Sequence, residues 1–346
     1  MSIELINVSK KYSNKYVVKD LSLKVEDGEI TILIGPSGCG KTTTLKLINR
    51  LIERTTGDIL FDGKSIDNID KIQLRRSIGY VIQEIGLFPH YTVYENIAVV
   101  PKLLNWNKEK INERVEELLE LVNLDYESVI NKYPLELSGG QRQRVGVARA
   151  LAANPKILLM DEPFGAIDPI NREILQDVFL NIQNKLKKTI VFVTHDIREA
   201  IKLGDKIAIL NNGALVQYDK TINIIKKPKN DFVKNLLGSN AELNFLEFVK
   251  AYKMIDNNFK TIRNINEIDD LNKDCYVLFN DKYEGFLTKN DLRNKKKKLR
   301  CEFIDYNSNV LEGLNIMFKN NIHCLPVLKD GKIIGVLNYD SIFSEE

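Results

Sequence analysis

Side chains suited to phosphoryl chemistry stand in order along the first two thirds of the sequence. The earliest group is Gly35-Pro36-Ser37-Gly38-Cys39-Gly40-Lys41-Thr42-Thr43. Glycines at 35, 38 and 40 let the backbone curl until its N–H groups converge on an anion. A helix opening near Lys41 adds the partial positive charge of its N-terminus. Lys41 is then placed to reach the β- and γ-phosphates of a nucleotide, and the Thr42 hydroxyl to bind Mg²⁺. Cys39 is given no role beyond its small size. The competing reading is a glycine-rich turn with a solvated lysine. The apolar run Thr31-Ile32-Leu33-Ile34 just before it supplies the strand-then-helix context that phosphate binding requires. Next, Asp161 and Glu162 end the apolar run Ile157 to Met160. A carboxylate at a strand end can hold Mg²⁺ across phosphates, and Glu162 beside it can polarise a water. Gln83, the glycine-rich Leu137-Ser138-Gly139-Gly140-Gln141 and Thr194-His195-Asp196 complete the set.

The elements that must carry these residues read as α/β. Ile157 to Met160 and Ile190 to Val193 are continuous apolar runs, as in strands covered on both faces. Ile111, Val115, Leu118, Leu119 and Val122 recur at helical spacing. Asn212-Gly213 between Ile207 to Leu210 and Ala214 to Val216 is a hairpin signal. Residues 226–244 turn rich in Lys, Asn and Pro. The expected division is a nucleotide-binding domain over residues 1–238, a linker at 239–247 and a second domain at 248–346. That tail holds a weak repeat 50 residues apart: Val277 aligns with Val327, Gly285 with Gly335 and Leu292 with Ile342. Each copy reads strand, turn, strand, helix start, and Asn309 with Glu312 reads as the cap of a helix leading the second copy. Repeats of this kind bury an open face against their twin.

Composition narrows the class. The 346 residues exceed one ordinary domain. Fifty basic and 47 acidic residues leave a charge of +3, so no overall field draws the chain to nucleic acid. Four scattered cysteines (Cys39, Cys275, Cys301, Cys324) imply neither a zinc nor a disulfide framework and fit a reducing cytosol. Met1-Ser2-Ile3-Glu4-Leu5 lacks the basic start and apolar core of a signal peptide. No apolar stretch reaches the ~18 residues that span a bilayer, so a membrane process would need another chain to supply the span.

The sequence resembles the ATP-binding subunits of ATP-binding-cassette (ABC) transporters, and Leu137-Ser138-Gly139-Gly140-Gln141 is the discriminating piece. The resemblance covers about the first 238 residues. It implies a P-loop ABC ATPase domain with a RecA-like core and a helical subdomain, binding ATP and Mg²⁺ in a head-to-tail homodimer. Ser138, with Gly140 in the same turn, would then meet the γ-phosphate held by the Gly35–Thr43 loop of the other copy. Tyr12 resembles the aromatic stacked on adenine, against the alternative of a core tyrosine. Gln83 resembles the glutamine that senses Mg²⁺ and water, His195 the switch histidine at the γ-phosphate, and Asp168 the loop touching the second cassette.

A narrower resemblance lies in Gly86-Leu87-Phe88-Pro89-His90-Tyr91-Thr92 through Pro101 and Trp106, which is similar to importers of quaternary amines such as glycine betaine, choline and carnitine. The stretch falls where the permease is received, and Leu87, Phe88 and Trp106 are expected either to line that groove or to pack locally. The tail resembles paired CBS modules, giving a small α+β tandem domain. Its first copy (about 248–298) is degenerate, and its second (about 299–346) matches better through Leu325-Pro326-Val327 and Gly335. Thr288 and Asp291 match positions that hold ribose and phosphate, where the second copy has Asn338 and Ser341. An adenine nucleotide or cyclic di-AMP is the implied ligand, and plain dimerisation is the alternative. Arg293, Lys295 to Lys298 and Arg300 form a basic run, read as a solvated linker or as a lipid-docking sensor of ionic strength.

These readings imply the ATPase of an osmoprotectant importer at the cytoplasmic face of the cell membrane. Its partners would be a permease, a second copy of itself and, through the permease, an extracytoplasmic binding protein. The alternatives are a soluble cassette ATPase acting on DNA or ribosomes and a nucleotide-sensing regulator with a weak ATPase.

Overall fold

The computed structural model describes residues 1–83, 86–165, 167–268, 271–294 and 298–343. The chain divides into two compact units, Met1–Ser239 and Asn240–Glu346.

The first unit is built on a six-stranded sheet in the order Ala214–Lys220, Lys206–Asn211, Ile30–Ile34, Thr189–Val193, Ile157–Asp161 and Ile78–Val81. Its pairs are parallel except the hairpin joining Lys206–Asn211 to Ala214–Lys220. Ile30–Ile34, Ile157–Asp161 and Thr189–Val193 are buried at every position, because layers cover both faces of the sheet. Asn212 and Gly213 turn the hairpin with φ of 48° and 81°, the paired positive angles of a tight two-residue turn. A four-stranded antiparallel sheet of Lys15–Val25, Ile3–Tyr12, Thr56–Phe61 and Lys64–Ser65 closes a core that gathers Leu5, Leu45, Phe61 and Leu159.

Helices Val93–Leu103, Lys108–Leu121 and Gly139–Leu151 form a separate layer of this unit. Lys108–Leu121 buries Ile111, Val115, Leu118 and Leu119, the stripe expected from their spacing. Thr92 and Ser138 each begin a helix with a reciprocal capping box, to Glu95 and Gln141, so both helix starts are fixed by local hydrogen bonds.

The second unit repeats one motif. Phe259–Ile262 pairs in parallel with Cys275–Asn280, which forms a hairpin with Lys282–Thr288. Ile304–Asp305 pairs in parallel with Cys324–Lys329, which forms a hairpin with Lys332–Asn338. Short helices Lys289–Arg293 and Tyr339–Phe343 follow. Asn309 caps the helix Val310–Asn320 through the N–H of Glu312. In the first copy the described residues between Ile262 and Cys275 hold only the turn Ile265–Glu267. Among the described residues, no helix is long and apolar enough to cross a membrane.

Candidate functional site

The loop after Ile30–Ile34 has a shape that only glycine tolerates at two points. Gly35 sits at φ 154°, and a Cβ there would meet the Leu210 carbonyl oxygen at 2.1 Å. Gly40 sits at φ 103°, with the Val17 carbonyl oxygen 2.6 Å from such a Cβ. Backbone packs against backbone at both positions, so the loop keeps its curl. Pro36, Ser37 and Gly38 are exposed at its crest, Cys39 is buried beneath, and Thr43 is half-buried. The helix Lys41–Ile48 starts here. Lys41 is 7% exposed, and its ammonium donates to the carbonyl oxygens of Gly35 at 2.7 Å and Pro36 at 3.1 Å. The cation is thus held at the mouth of the loop.

Thr42 Oγ1 donates to Asp161 Oδ1 at 2.8 Å. Asp161 is buried, and that burial pushes its carboxyl above the usual range against the pull of the Thr42 hydrogen bond. A hydroxyl and a desolvated carboxylate side by side are hard oxygen donors of the kind Mg²⁺ takes, with phosphates and water filling its other positions. Among the described residues there is no cluster of three or more His, Cys, Asp or Glu able to hold a metal alone.

Three further side chains converge beside this pair. Gln83 Nε2 donates to Glu162 Oε2 at 3.2 Å, and His195 Nδ1 lies 3.1 Å from the same oxygen. Glu162 adopts φ 44°, a left-handed angle that is strained for this residue type and is held by its N–H on the Val193 carbonyl at 3.0 Å. His195 is exposed. These residues follow the neighbouring strands Ile78–Val81, Ile157–Asp161 and Thr189–Val193, so sheet order brings them together.

The remaining predicted site residues stand apart. Tyr12 is half-exposed at the end of its strand with Lys10 Nζ 4.8 Å above the ring, so it is no core tyrosine. Asp168 is exposed and caps the helix Pro169–Leu186 by accepting from Asn171 N at 3.1 Å. Ser138 is exposed and accepts from Gln141 N at 3.2 Å, while a Cβ at Gly139 or Gly140 would meet nothing within 4 Å. The helix Gly139–Leu151 therefore presents an open N-terminus to solvent. Among the described residues Tyr12, Asp168 and Ser138 make no hydrogen bond to the Lys41, Asp161 and Glu162 cluster.

Two supports were not read from the sequence. Glu199 is buried and accepts from Thr194 Oγ1 at 2.6 Å and Gln176 Nε2 at 3.3 Å, and burial outweighs these bonds and pushes its carboxyl up. Arg172 lies 4.0 Å from Glu199 and 3.6 Å from Asp196, and donates to the Ile167 carbonyl at 3.1 Å. The segment before Asp168 is thereby tied to the turn carrying His195. The signal was an acid set among Ile197, Ala200 and Ile201. Asn96 is fully buried, and its Nδ2 donates to the carbonyls of Phe88, Tyr91 and Thr92 at 3.0–3.1 Å while Oδ1 accepts from Phe88 N at 2.8 Å. One amide thus pins the whole turn. Phe88 lines a groove of about 350 Å³ with Tyr80, Ile82, Val99 and Arg149. Leu87 and Trp106, expected either to line a groove with it or to pack locally, are not among its described walls. The Trp106 ring carries Lys110 Nζ 4.0 Å above it.

In the tail unit a cleft of about 420 Å³ is lined by Asp274, Lys289, Arg293, His323, Asn338 and Asp340, with Thr288 on its wall. Thr288 and Asp291, read as holding ribose and phosphate, are engaged internally. Thr288 Oγ1 donates to Asp291 Oδ2 at 2.7 Å, and Arg300 donates to both carboxylate oxygens at 2.8 and 2.9 Å. Asn338 and Ser341 cap one another in the second copy. Of the basic run, Lys295, Lys296 and Lys297 lie outside the described residues, Arg293 lines the cleft and Arg300 clasps Asp291.

Residues 18–165 match the ABC transporter family and residues 300–345 the CBS domain. The osmoprotectant import ATP-binding protein OsmV of Salmonella typhimurium is 51% identical, over 73% of this chain and 68% of its own length. The choline transport ATP-binding protein OpuBA of Bacillus subtilis is 40% identical, over 99% of this chain and 98% of its own. The dimeric structure of MJ0796, a bacterial ABC transporter cassette, is 36% identical with a TM-score of 0.57, covering 63% of this chain and 98% of that one. With its curled glycine loop, paired Thr42 and Asp161 and open Ser138 helix, the chain belongs to the ATP-binding proteins of the ABC transporter family.

Proposed function

We propose that this chain is the ATP-hydrolysing subunit of an importer for quaternary-amine compatible solutes such as glycine betaine, choline and carnitine, and for proline. It works as a homodimer on the cytoplasmic face of a membrane permease that is fed by an extracytoplasmic substrate-binding protein. The observation that carries the catalytic reading is the convergence of Gln83 and His195 on the Glu162 carboxylate beside Thr42 and Asp161. Similarity to the choline protein over nearly the whole chain supports the substrate class.

The residues divide the work. The Gly35–Thr43 loop binds phosphate through its N–H groups, and Lys41 passes from the loop carbonyls to the β- and γ-phosphates. Tyr12 stacks on adenine. Thr42 and Asp161 would hold Mg²⁺, with Gln83 beside them, and the ion neutralises charge developing on the phosphates. Glu162 accepts the proton of the attacking water while Gln83 and His195 fix its carboxylate. The helix that Ser138 caps, with Gly140 in its first turn, closes over the γ-phosphate from the second copy, and Asp168 meets that copy nearby. The groove at Phe88 receives the permease. The tail regulates, and its cleft offers lysine and arginine to an adenine nucleotide or cyclic di-AMP.

Glu162→Gln tests the assignment. ATP affinity should stay within about threefold and hydrolysis fall by about 10²–10⁴, as a steady-state phosphate-release assay would show. Unchanged turnover would contradict it. The substrate class is tested by uptake of labelled glycine betaine, choline, carnitine and proline in cells that depend on this chain and its permease. Uptake of none of them would overturn that part alone.

A further inference from the structure

The tail unit contains three of the chain's four cysteines, and two of them face each other across the repeat. Cys275 opens the strand Cys275–Asn280 of the first copy, and Cys324 opens Cys324–Lys329 of the second. Cys324 Sγ donates to the carbonyl oxygen of Asp274, the residue next to Cys275, at 3.5 Å, and the two strands that the cysteines open pack against one another. Both belong to one packed core with Val277, Phe286, Leu325 and Val336. The ATP site uses neither.

Their surroundings differ in a way that assigns each a part. Cys275 is 0% exposed, and burial pushes its thiol well above the ordinary range. Such a thiol is inert toward solvent species. Cys324 is 2% exposed but forms part of the wall of the 420 Å³ cleft, in company with Lys289, Arg293 and His323. A small oxidant entering the cleft meets Cys324 first, and Cys275 waits behind it.

We propose that Cys275 and Cys324 form a reversible dithiol–disulfide site that joins the two halves of the tail in response to a peroxide. The sulfur of the Cys324 thiol attacks one oxygen of hydrogen peroxide. An S–O bond forms, the O–O bond breaks, and the departing hydroxide takes up the thiol proton as water, leaving a sulfenic acid. The Cys275 sulfur then attacks the Cys324 sulfur. The S–S bond forms, the S–O bond breaks, and the leaving hydroxide carries off the Cys275 proton as a second water. Two thiols are oxidised and one peroxide is reduced to two waters. A dithiol reductant reverses the reaction by attacking Cys324 from the cleft. A disulfide here is transient by nature in a reducing compartment. Because Asp274 and Cys324 both line the cleft, the bond alters the walls that a tail ligand would touch. The device works whether or not the ATPase reading holds.

The full-length chain is purified reduced, with exposed Cys301 replaced (Cys301→Ser) to remove a competing thiol. It is treated with hydrogen peroxide, alkylated with N-ethylmaleimide and read by intact mass and peptide mapping. The expected product is monomeric, about 2 Da lighter before alkylation, with one peptide linking Cys275 to Cys324 that dithiothreitol releases. Cys324→Ala should abolish the linked peptide. The unmodified residues at 275 and 324 give the reading themselves, so an unstable variant does not leave the question open. Recovery of both as alkylated thiols, arrest of Cys324 as sulfinic acid with Cys275 free, or linkage only between separate chains would overturn the proposal.

Discussion

Replacing Arg300 by Met should loosen the tail unit by a calculable amount. Asp291 is 5% exposed and accepts from Arg300 at 2.8 and 2.9 Å, from Thr288 Oγ1 at 2.7 Å and from Thr288 N at 3.2 Å. Burial pushes the Asp291 carboxyl up, but Arg300 and Thr288 together outweigh it and hold it at about 2, below its ordinary 3.8. At about 1.36 kcal/mol per pKa unit that displacement corresponds to roughly 2.5 kcal/mol. The guanidinium is 25% exposed, so solvent screening reduces the Coulombic part. Stranding a mostly buried carboxylate works the other way. The net loss is about 2 kcal/mol, or about 10 °C in the melting temperature of a unit this size. Calorimetry of the full chain reads it, since ATP should raise the cassette transition and leave the tail transition to be identified. Because the folded pKa lies below the unfolded one, the contribution is complete above about pH 4 and fades as pH falls toward 2. The gap between Arg300→Met and the parent, read by urea unfolding, should therefore be full at pH 6 and smaller at pH 3. An unchanged tail transition, or a gap that widens in acid, would refute the reasoning.

Gly35→Ala should abolish nucleotide binding, because its Cβ meets the Leu210 carbonyl oxygen at 2.1 Å with φ at 154°; titration with a fluorescent ATP analogue should show affinity reduced by more than about tenfold. Asn96→Ala removes four hydrogen bonds inside a fully buried turn, at a cost of about 2–3 kcal/mol. Substrate transported per ATP hydrolysed should fall while ATP affinity holds, measured in proteoliposomes with the permease.

The parts of the site written in local chemistry were legible in the sequence. Gly35, Gly38 and Gly40 before Lys41 state a loop, and unbroken apolar runs such as Ile157 to Met160 state buried parallel strands. Convergence was not legible from residue chemistry alone. Gln83 and His195 lie 79 and 33 residues from Glu162, and only the lateral order of their strands makes them neighbours. The left-handed backbone of Glu162 leaves no local trace, since it depends on the Val193 carbonyl that the tertiary fold delivers, whereas the four bonds of Asn96 fall on the turn four to eight residues before it. Between the two readings of Trp106, groove wall or local packing, apolar character could not choose, since it marks burial or an interface without saying which. The clasp of Arg300 on Asp291, nine residues before it, left no mark in the resemblance that Thr288 and Asp291 carry.

The most direct measurement weighs the Glu162→Gln chain by light scattering, with and without ATP. A triphosphate gripped by the Gly35–Thr43 loop of one copy and covered by the Ser138 helix of another should double the mass when ATP is added, and Ser138→Arg should prevent the doubling while ATP still binds. A chain that binds ATP to saturation and remains a single copy, or a Ser138→Arg variant that pairs as before, would contradict the account.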